Sequence, residues 1–199
     1  MNPKITNEAL EAYCYCAQKF HLKLHGEQGV TTDYERMRAE LRAKTMARAI
    51  KRYLEKQDLT EQIRLTQSRL EKAPQYLFNG IYEDDHFKLN IDGIHKTTDP
   101  HASKSYTLRP IIFSGFLKNE TRLRRVLSVY GYALSKMVSQ PLHMGLIWNS
   151  SDKTTKVSLR VDAKEFSTWL QKLIAARLAD SPPPLFLNDH CQVCEFQQR

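Results

Sequence analysis

Four cysteines fall at the two ends of this 199-residue chain, Cys14 and Cys16 near the start and Cys191 and Cys194 near the end, with no thiol between them. Thiols so far apart in sequence act together only if the fold returns its last segment to its first helix, so the pattern asks for adjacent termini. Cys191-Gln-Val-Cys194 is a C-x2-C turn. Such a turn aims two soft sulfur ligands at one point, which suits zinc or an iron–sulfur cluster better than an oxygen-seeking cation. A third cysteine just past Arg199 would extend the spacing to C-x2-C-x5-C. The opening Met-Asn-Pro-Lys-Ile-Thr lacks an apolar leader and no run approaches a membrane span, so an intracellular, cytoplasmic protein with no membrane contact is expected. In a reducing compartment a C-x2-C marks a metal or redox site rather than a structural disulfide.

Hydrophobic periodicity divides the chain between the cysteines. Residues 7–25 read as one helix with Leu10, Cys14, Ala17 and His21 along one side. A longer helix is predicted over 34–57, with Ala39, Ala43, Met46, Ala47, Ile50, Tyr53 and Leu54 inward and Lys44, Arg48, Lys51 and Arg52 on the opposite arc. The stretch 59–73 fits a further turn or two of helix before Pro74. Residues 76–82 and 86–94, around Glu83-Asp84-Asp85, then read as a β-hairpin. After a polar loop at 95–105, residues 106–113 form a third strand, in which Pro110 marks an edge or a bulge. Helical spacing returns over 120–138, carried by Leu123, Val126, Leu127, Tyr130, Leu134 and Met137. Residues 146–148 and 156–161 are strands. Asp162 with Glu165 offers a capping box for a last helix, which buries Phe166, Trp169, Leu170, Leu173 and Ile174 and ends before Pro182-Pro183-Pro184.

One α/β domain over 1–199 is expected: 1–30 holds the first cysteines, 31–180 the core and 181–199 the cysteine knuckle. A hairpin feeding a third strand, then a crossover helix to another strand, gives a mixed sheet flanked by helices in αβββαβ order.

Charge adds a surface. Thirty Lys and Arg against 22 Asp and Glu leave a formal +8. Between Arg36 and Lys72 there are 11 basic and 5 acidic side chains, and Lys118, Arg122, Arg124 and Arg125 form a second group against Glu120 alone. Rows of this kind make salt-sensitive, sequence-independent contacts to phosphates, although a merely solvated helix face has the same pattern. There is no Gly-rich phosphate loop and no nucleophile elbow.

The element order and the cysteines together resemble the RecB-like nucleases of the PD-(D/E)XK superfamily. The branch they resemble carries an iron–sulfur cluster and includes CRISPR-associated exonucleases and the AddB nuclease domain. In that branch one cysteine comes from an N-terminal helix, as in Cys16-Ala-Gln-Lys19-Phe20-His-Leu22, and the rest come from a C-terminal C-x2-C and a following cysteine. The resemblance implies a restriction-endonuclease-like core and a metal clasp of Cys16, Cys191 and Cys194, with Cys14 as the alternative to Cys16. The clasp would hold a [4Fe-4S] cluster. A zinc site on all four cysteines is the rival and requires the first helix to break; His190 or His21 are further candidates to complete the centre.

The resemblance also assigns Asp92, before Gly93, as the aspartate that holds Mg or Mn, and Tyr130 as half of a Gln-x-x-x-Tyr motif whose Gln is here Val126. The family's Glu-x-Lys falls on Ile112 and Ser114, so its chemistry is missing here unless Glu83, Asp84 or Glu120, with Lys118, has taken it over. It implies binding to DNA, as single strands or ends, with Lys44, Arg48, Lys51, Arg52, Arg122, Arg124 and Arg125 on phosphates. A fused or associated RNase H-like nuclease or helicase domain is an expected partner, the present chain being an N-terminal fragment. The competing reading is a metal-stapled interaction module that positions such partner domains.

Overall fold

A computed structural model of the chain describes residues 3–53, 62–98, 106–116, 120–161 and 163–197. The helices are α1 (Asn7–Tyr15), α2 (Ala17–Leu24), α3 (Asp33–Tyr53), α4 (Gln67–Lys72), α5 (Glu120–Val138) and α6 (Lys164–Leu178). The strands are β1 (Ile63–Arg64), β2 (Tyr76–Glu83), β3 (Lys88–Thr98), β4 (Tyr106–Ser114), β5 (Met144–Asn149) and β6 (Thr154–Ser158), and a 3-10 turn spans Asp189–Val193.

Asp84 makes the hairpin between β2 and β3. Its Oδ1 accepts the N–H groups of His86 and Phe87 at 2.9 and 2.8 Å, while Oδ2 accepts the Tyr82 hydroxyl at 2.7 Å. The six strands lie in chain order in one mixed sheet. β3 is antiparallel to β2 and β4, α5 crosses over to bring β5 parallel to β4, and β6 closes the far edge antiparallel to β5. The expected mixed sheet with flanking helices is therefore present. Its near edge gains a strand where only helix was expected: Thr66 caps α4 by accepting from Arg69 N, and just before it the short β1 pairs parallel with Gly80 and Ile81 of β2.

Both faces of the sheet are covered. On one, Leu127, Tyr130, Ala133 and Leu134 of α5 pack with Leu10 of α1, Leu170 and Leu173 of α6, and Leu89, Ile91 and Ile112 of the strands. On the other, Ala49 and Ile50 of α3 cover Phe78, Ile111, Phe113, Leu146 and Trp148. Inward alternation slips midway along β2 and β3: Leu77 and Ile94 face the same core as Tyr82, Leu89 and Ile91. The slip falls where Asn79 takes a left-handed φ of 55°, opposite Asp92.

Five local expectations are corrected. β3 runs on to Thr98 and pairs there with β4, so residues 95–98 are sheet where a polar loop was expected, and 99–105 lie outside the described residues. The helix over 7–25 is two, because Cys16 is extended (φ −160°, ψ 129°) between α1 and α2. The inner face of α3 is rotated: Ala39, Ala43 and Ala47 are exposed, while Arg42, Thr45, Ala49 and Ile50 turn inward. Charged partners from other elements make an inward arginine the better solution. Leu54 lies outside the described residues. Pro110 sits in a central strand, but pairing of β4 with β5 begins only at Ile111, so the proline lies where β4 has one neighbour. Ala163 stands at the N-cap of α6 without a side-chain cap bond, and Asp162 lies outside the described residues. Among the described residues, no helix is long and apolar enough to cross a membrane.

Candidate functional site at Asp92

The β3–β4 ladder runs from the Thr98–Tyr106 pair to Gly93–Ile111, and Asp92 is the next residue of β3 after that last pair. There its carboxylate takes the place of a backbone acceptor: Oδ2 accepts the N–H of Phe113 at 2.9 Å. Both oxygens also accept from Nη2 of Arg42, at 2.8 and 3.0 Å, and Nη1 of Arg42 donates to Glu11 at 2.6 Å. A guanidinium from α3 therefore bridges a carboxylate of the sheet and one of α1. Asp92 is only 6% exposed. Burial pushes its carboxyl upward, while the Arg42 charge and the Phe113 N–H pull it down. Arg42 is held well above its ordinary value by Asp92 and Glu11 in spite of its own burial.

One stripe of α1 builds the surround. Asn7, Glu11 and Tyr15 follow at four-residue intervals and so share a helix face. The Asn7 amide donates to Asn90 O and to the Tyr130 hydroxyl at 2.7 and 2.6 Å, and its oxygen accepts Asn90 N at 2.7 Å. Tyr130 is fully buried and donates to Asn90 O at 3.3 Å. Burial and the Asp92 charge hold its phenol well above the ordinary value, so it stays protonated. Tyr15 accepts from Arg38, and the guanidinium groups of Arg38 and Arg122 lie 5.4 and 4.1 Å from its ring centroid.

The structure thus brings Asp92 and Tyr130 together with Arg42, Glu11 and Asn7, which neither periodicity nor the resemblance singles out. A hard divalent ion needs several oxygen ligands. Ile112 is fully buried in the core, Ser114 accepts Phe116 N, and Val126 is buried. Glu83 pairs with Lys4 at 2.8 Å, and Asp84 is engaged in the hairpin and with Lys136. The hairpin end of β3, at Lys88, is about 13 Å along the strand from Asp92. Lys118 and the side chain of Glu120 lie outside the described residues. Among the described residues no three His, Cys, Asp or Glu side chains form a metal-holding group. The two carboxylates at this site, Asp92 and Glu11, are both taken up by Arg42, so the described residues as they stand do not fit Mg or Mn, and no hydrolytic step follows from them.

The basic residues divide. Lys44, Arg48, Lys51 and Arg52 are exposed on the outer arc of α3, with Arg48 reaching Asp152 at 3.7 Å. Arg124 and Arg125 are exposed on α5, whereas Arg122 is drawn onto Tyr15.

At the termini the last segment docks on the α1–α2 junction. The Asn188 amide donates to Tyr15 O at 3.2 Å, and the His190 ring stacks on Tyr15 with centroids 4.1 Å apart. Lys19 is buried between Glu35 at 2.6 Å and Glu195 at 3.1 Å, and Lys23 reaches Glu195 at 2.7 Å. Thr32 donates to Val193 O and Val30 N to Glu195 O. The sulfurs of Cys191 and Cys194 accept backbone N–H groups from Asn188 and Phe196 at 3.3 and 3.5 Å. Cys14 packs instead against the core, and burial pushes its thiol up to about 12. His21 packs on His25.

Comparison with protein-family models and with curated proteins finds no match.

Proposed function

We propose that this chain is a RecB-like, restriction-endonuclease-like domain that binds DNA at single strands or ends and has lost metal-dependent hydrolysis. One observation carries the reading. The aspartate at the divergence of β3 and β4 is held by the fork of Arg42, a fixed cation in place of an exchangeable one, which also takes up the nearby carboxylate of Glu11, and Ile112 stands where the resemblance calls for the family's Glu. An arginine supplies positive charge without vacant coordination positions, so it can stabilise the fold and cannot activate water. The order of elements and the exposed basic arc of α3 support the DNA-binding half.

The test is binding of labelled single-stranded DNA across a salt series, with and without Mg²⁺ or Mn²⁺. Affinity that falls steeply with salt and no cleavage with either ion are expected. Absence of binding at low salt overturns the DNA reading. Cleavage that disappears in Asp92→Ala overturns the loss of hydrolysis.

On the same reading Cys16, Cys191 and Cys194 are the ligands of a [4Fe-4S] cluster, with zinc on the four cysteines as the alternative. The N–H···S bonds support cysteine ligation, the helix break at Cys16 is what the zinc alternative requires, and the lack of a three-donor group among the described residues weighs against both. A protein purified without oxygen should be brown and lose its colour in Cys194→Ala. A colourless protein with bound zinc decides for the alternative.

A second reading, a module that positions RNase H-like nuclease or helicase domains, draws on a different feature. After Pro182-Pro183-Pro184, three consecutive apolar side chains stand in solvent, Leu185 at 63%, Phe186 at 75% and Leu187 at 81% exposure. A stiffened extended segment with apolar side chains is a form in which partner domains take up peptides.

A further inference from the structure

At the C-terminal end of α3 the sheet carries a row of rings that the Asp92 site does not use. Tyr76, His95 and Arg109 are direct cross-strand neighbours on β2, β3 and β4. The Tyr76 and His95 rings stack at 4.5 Å with planes 12° apart, and Tyr53 from the last turn of α3 lies 4.4 Å from Tyr76. Tyr53 is 40% exposed and Tyr76 half-buried, so the ladder reaches solvent. Arg52 stands over the Tyr53 ring at 5.6 Å.

Polar atoms at this spot lack partners among the described residues. Both ring nitrogens of His95, Oγ1 of Thr97 and Nε1 of Trp148 are buried without a hydrogen bond. Trp148 is itself almost wholly buried and meets Tyr53 edge-on at 5.5 Å. Such groups cost stability unless something supplies their partners. Burial and the Arg109 charge lower His95 from its ordinary value, so at neutral pH it is uncharged and offers one donor and one acceptor. No ion pair engages Lys51, Arg52 or Arg109 among the described residues.

We infer that the Tyr53–Tyr76–His95 ladder, flanked by Arg52 and Arg109, is a base-stacking platform for single-stranded nucleic acid. Aromatic faces interleaved with cations suit unpaired bases and their phosphates, because every base offers a π-face and stacking tolerates any sequence. The row continues the outer arc of α3, so a strand whose phosphates follow Arg48, Lys51 and Arg52 delivers its bases to the exposed Tyr53, which Tyr76 and His95 back from behind. A duplex does not fit this chemistry, since its bases are already stacked on one another.

The inference rests on the DNA reading above, and the experiment separates the two. Affinity for a labelled oligothymidylate is measured over a salt series for the parent, Tyr53→Ala, Tyr76→Ala, Tyr76→Phe, Arg52→Gln and Arg109→Gln, each checked for a cooperative melt. Tyr53→Ala and Tyr76→Ala each lower affinity about 5- to 100-fold with the salt slope unchanged. Tyr76→Phe keeps parental affinity. The two arginine variants lower the slope by about 0.7 for each phosphate that is no longer neutralised. Should Tyr76→Ala not fold, the partly exposed Tyr53 carries the test alone. Parental affinity in a folded Tyr53→Ala overturns the platform and leaves DNA binding standing, while a parent that binds no DNA at low salt overturns both.

Discussion

Replacing Arg42 by Met keeps most of the apolar stem and removes the guanidinium that joins Glu11 to Asp92. Asp92 would then retain one donor, the N–H of Phe113. Breaking a buried ion pair from one side costs about 3–5 kcal/mol, because an uncompensated charge stays behind. Glu11 is the more exposed partner and loses less. At about 2–4 °C of Tm per kcal/mol for a chain of this size, Arg42→Met should melt about 6–20 °C below the parent at pH 7.

The same charge predicts a pH signature. In the parent, burial raises the Asp92 carboxyl and Arg42 opposes that rise. Without Arg42 the folded-state value climbs further above the unfolded value of about 3.9. A native state that holds its proton more tightly than the unfolded chain loses stability as pH rises through the folded value. The deficit of Arg42→Met relative to the parent is therefore smallest near pH 4 and grows toward neutrality. In Arg42→Met/Asp92→Asn the amide oxygen still accepts from Phe113 while the stranded charge is gone, so at least about 1.5 kcal/mol should return. Chemical denaturation of all three proteins at pH 4 and pH 7 measures these terms. An Arg42→Met variant within about 1 kcal/mol of the parent at pH 7, or a double variant no more stable than the single, refutes a fork that holds a buried charge.

Asp84→Ala should destabilise by about 1.5–3 kcal/mol in urea, since a carboxylate accepting several hydrogen bonds is removed from the hairpin. Burial alone would raise Asp84, but Tyr82, Phe87, His86 and Lys136 hold it below its ordinary value, so its contribution is present above about pH 3.9 and fades on acidification below it, a fade that the alanine variant lacks. Gly29→Ala places a Cβ 2.5 Å from the carbonyl oxygen of Glu195, a backbone atom, and should release the C-terminal segment; limited proteolysis after residue 180 should speed up with little change in the core melt. Tyr130→Phe removes the hydroxyl shared by Asn7 and Asn90 and should cost about 0.5–1.5 kcal/mol in the same denaturation assay.

Local pattern makes the sheet legible and leaves the site half hidden. The hairpin, the crossover helix and its inward residues follow from alternation, turn chemistry and 3.6-residue spacing, each of which acts between near neighbours. Arg42 follows from none of them. Periodicity assigns an arginine to the solvent side of a helix, and it accordingly phases α3 on Ala39, Ala43 and Ala47, three small residues that are exposed. The true phase is set by Asp92, fifty positions away, and by Glu11, thirty-one positions away. Cys16 is similar, for nothing around it marks a break, and its extended backbone lies where Asn188 and His190 dock on Tyr15.

A signal for the hidden half is nevertheless present in α1. Asn7, Glu11 and Tyr15 put three polar side chains on one face of a short helix whose Leu10 is fully buried. A solvated face would tolerate any polar residue, whereas an amide, a carboxylate and a phenol at four-residue spacing match three different neighbours. Asn7 clamps β3, Glu11 holds the Arg42 fork and Tyr15 receives the C-terminal segment. The helix therefore joins the Asp92 site mechanically to the junction where the cysteines lie. Tyr15→Ala removes the ring that His190, Arg38 and Arg122 share, and if the coupling is rigid it should lower both the protection of the C-terminal segment and the melt of the core. Loss of protection with an unchanged melt would mean that the junction and the Arg42 fork are independent.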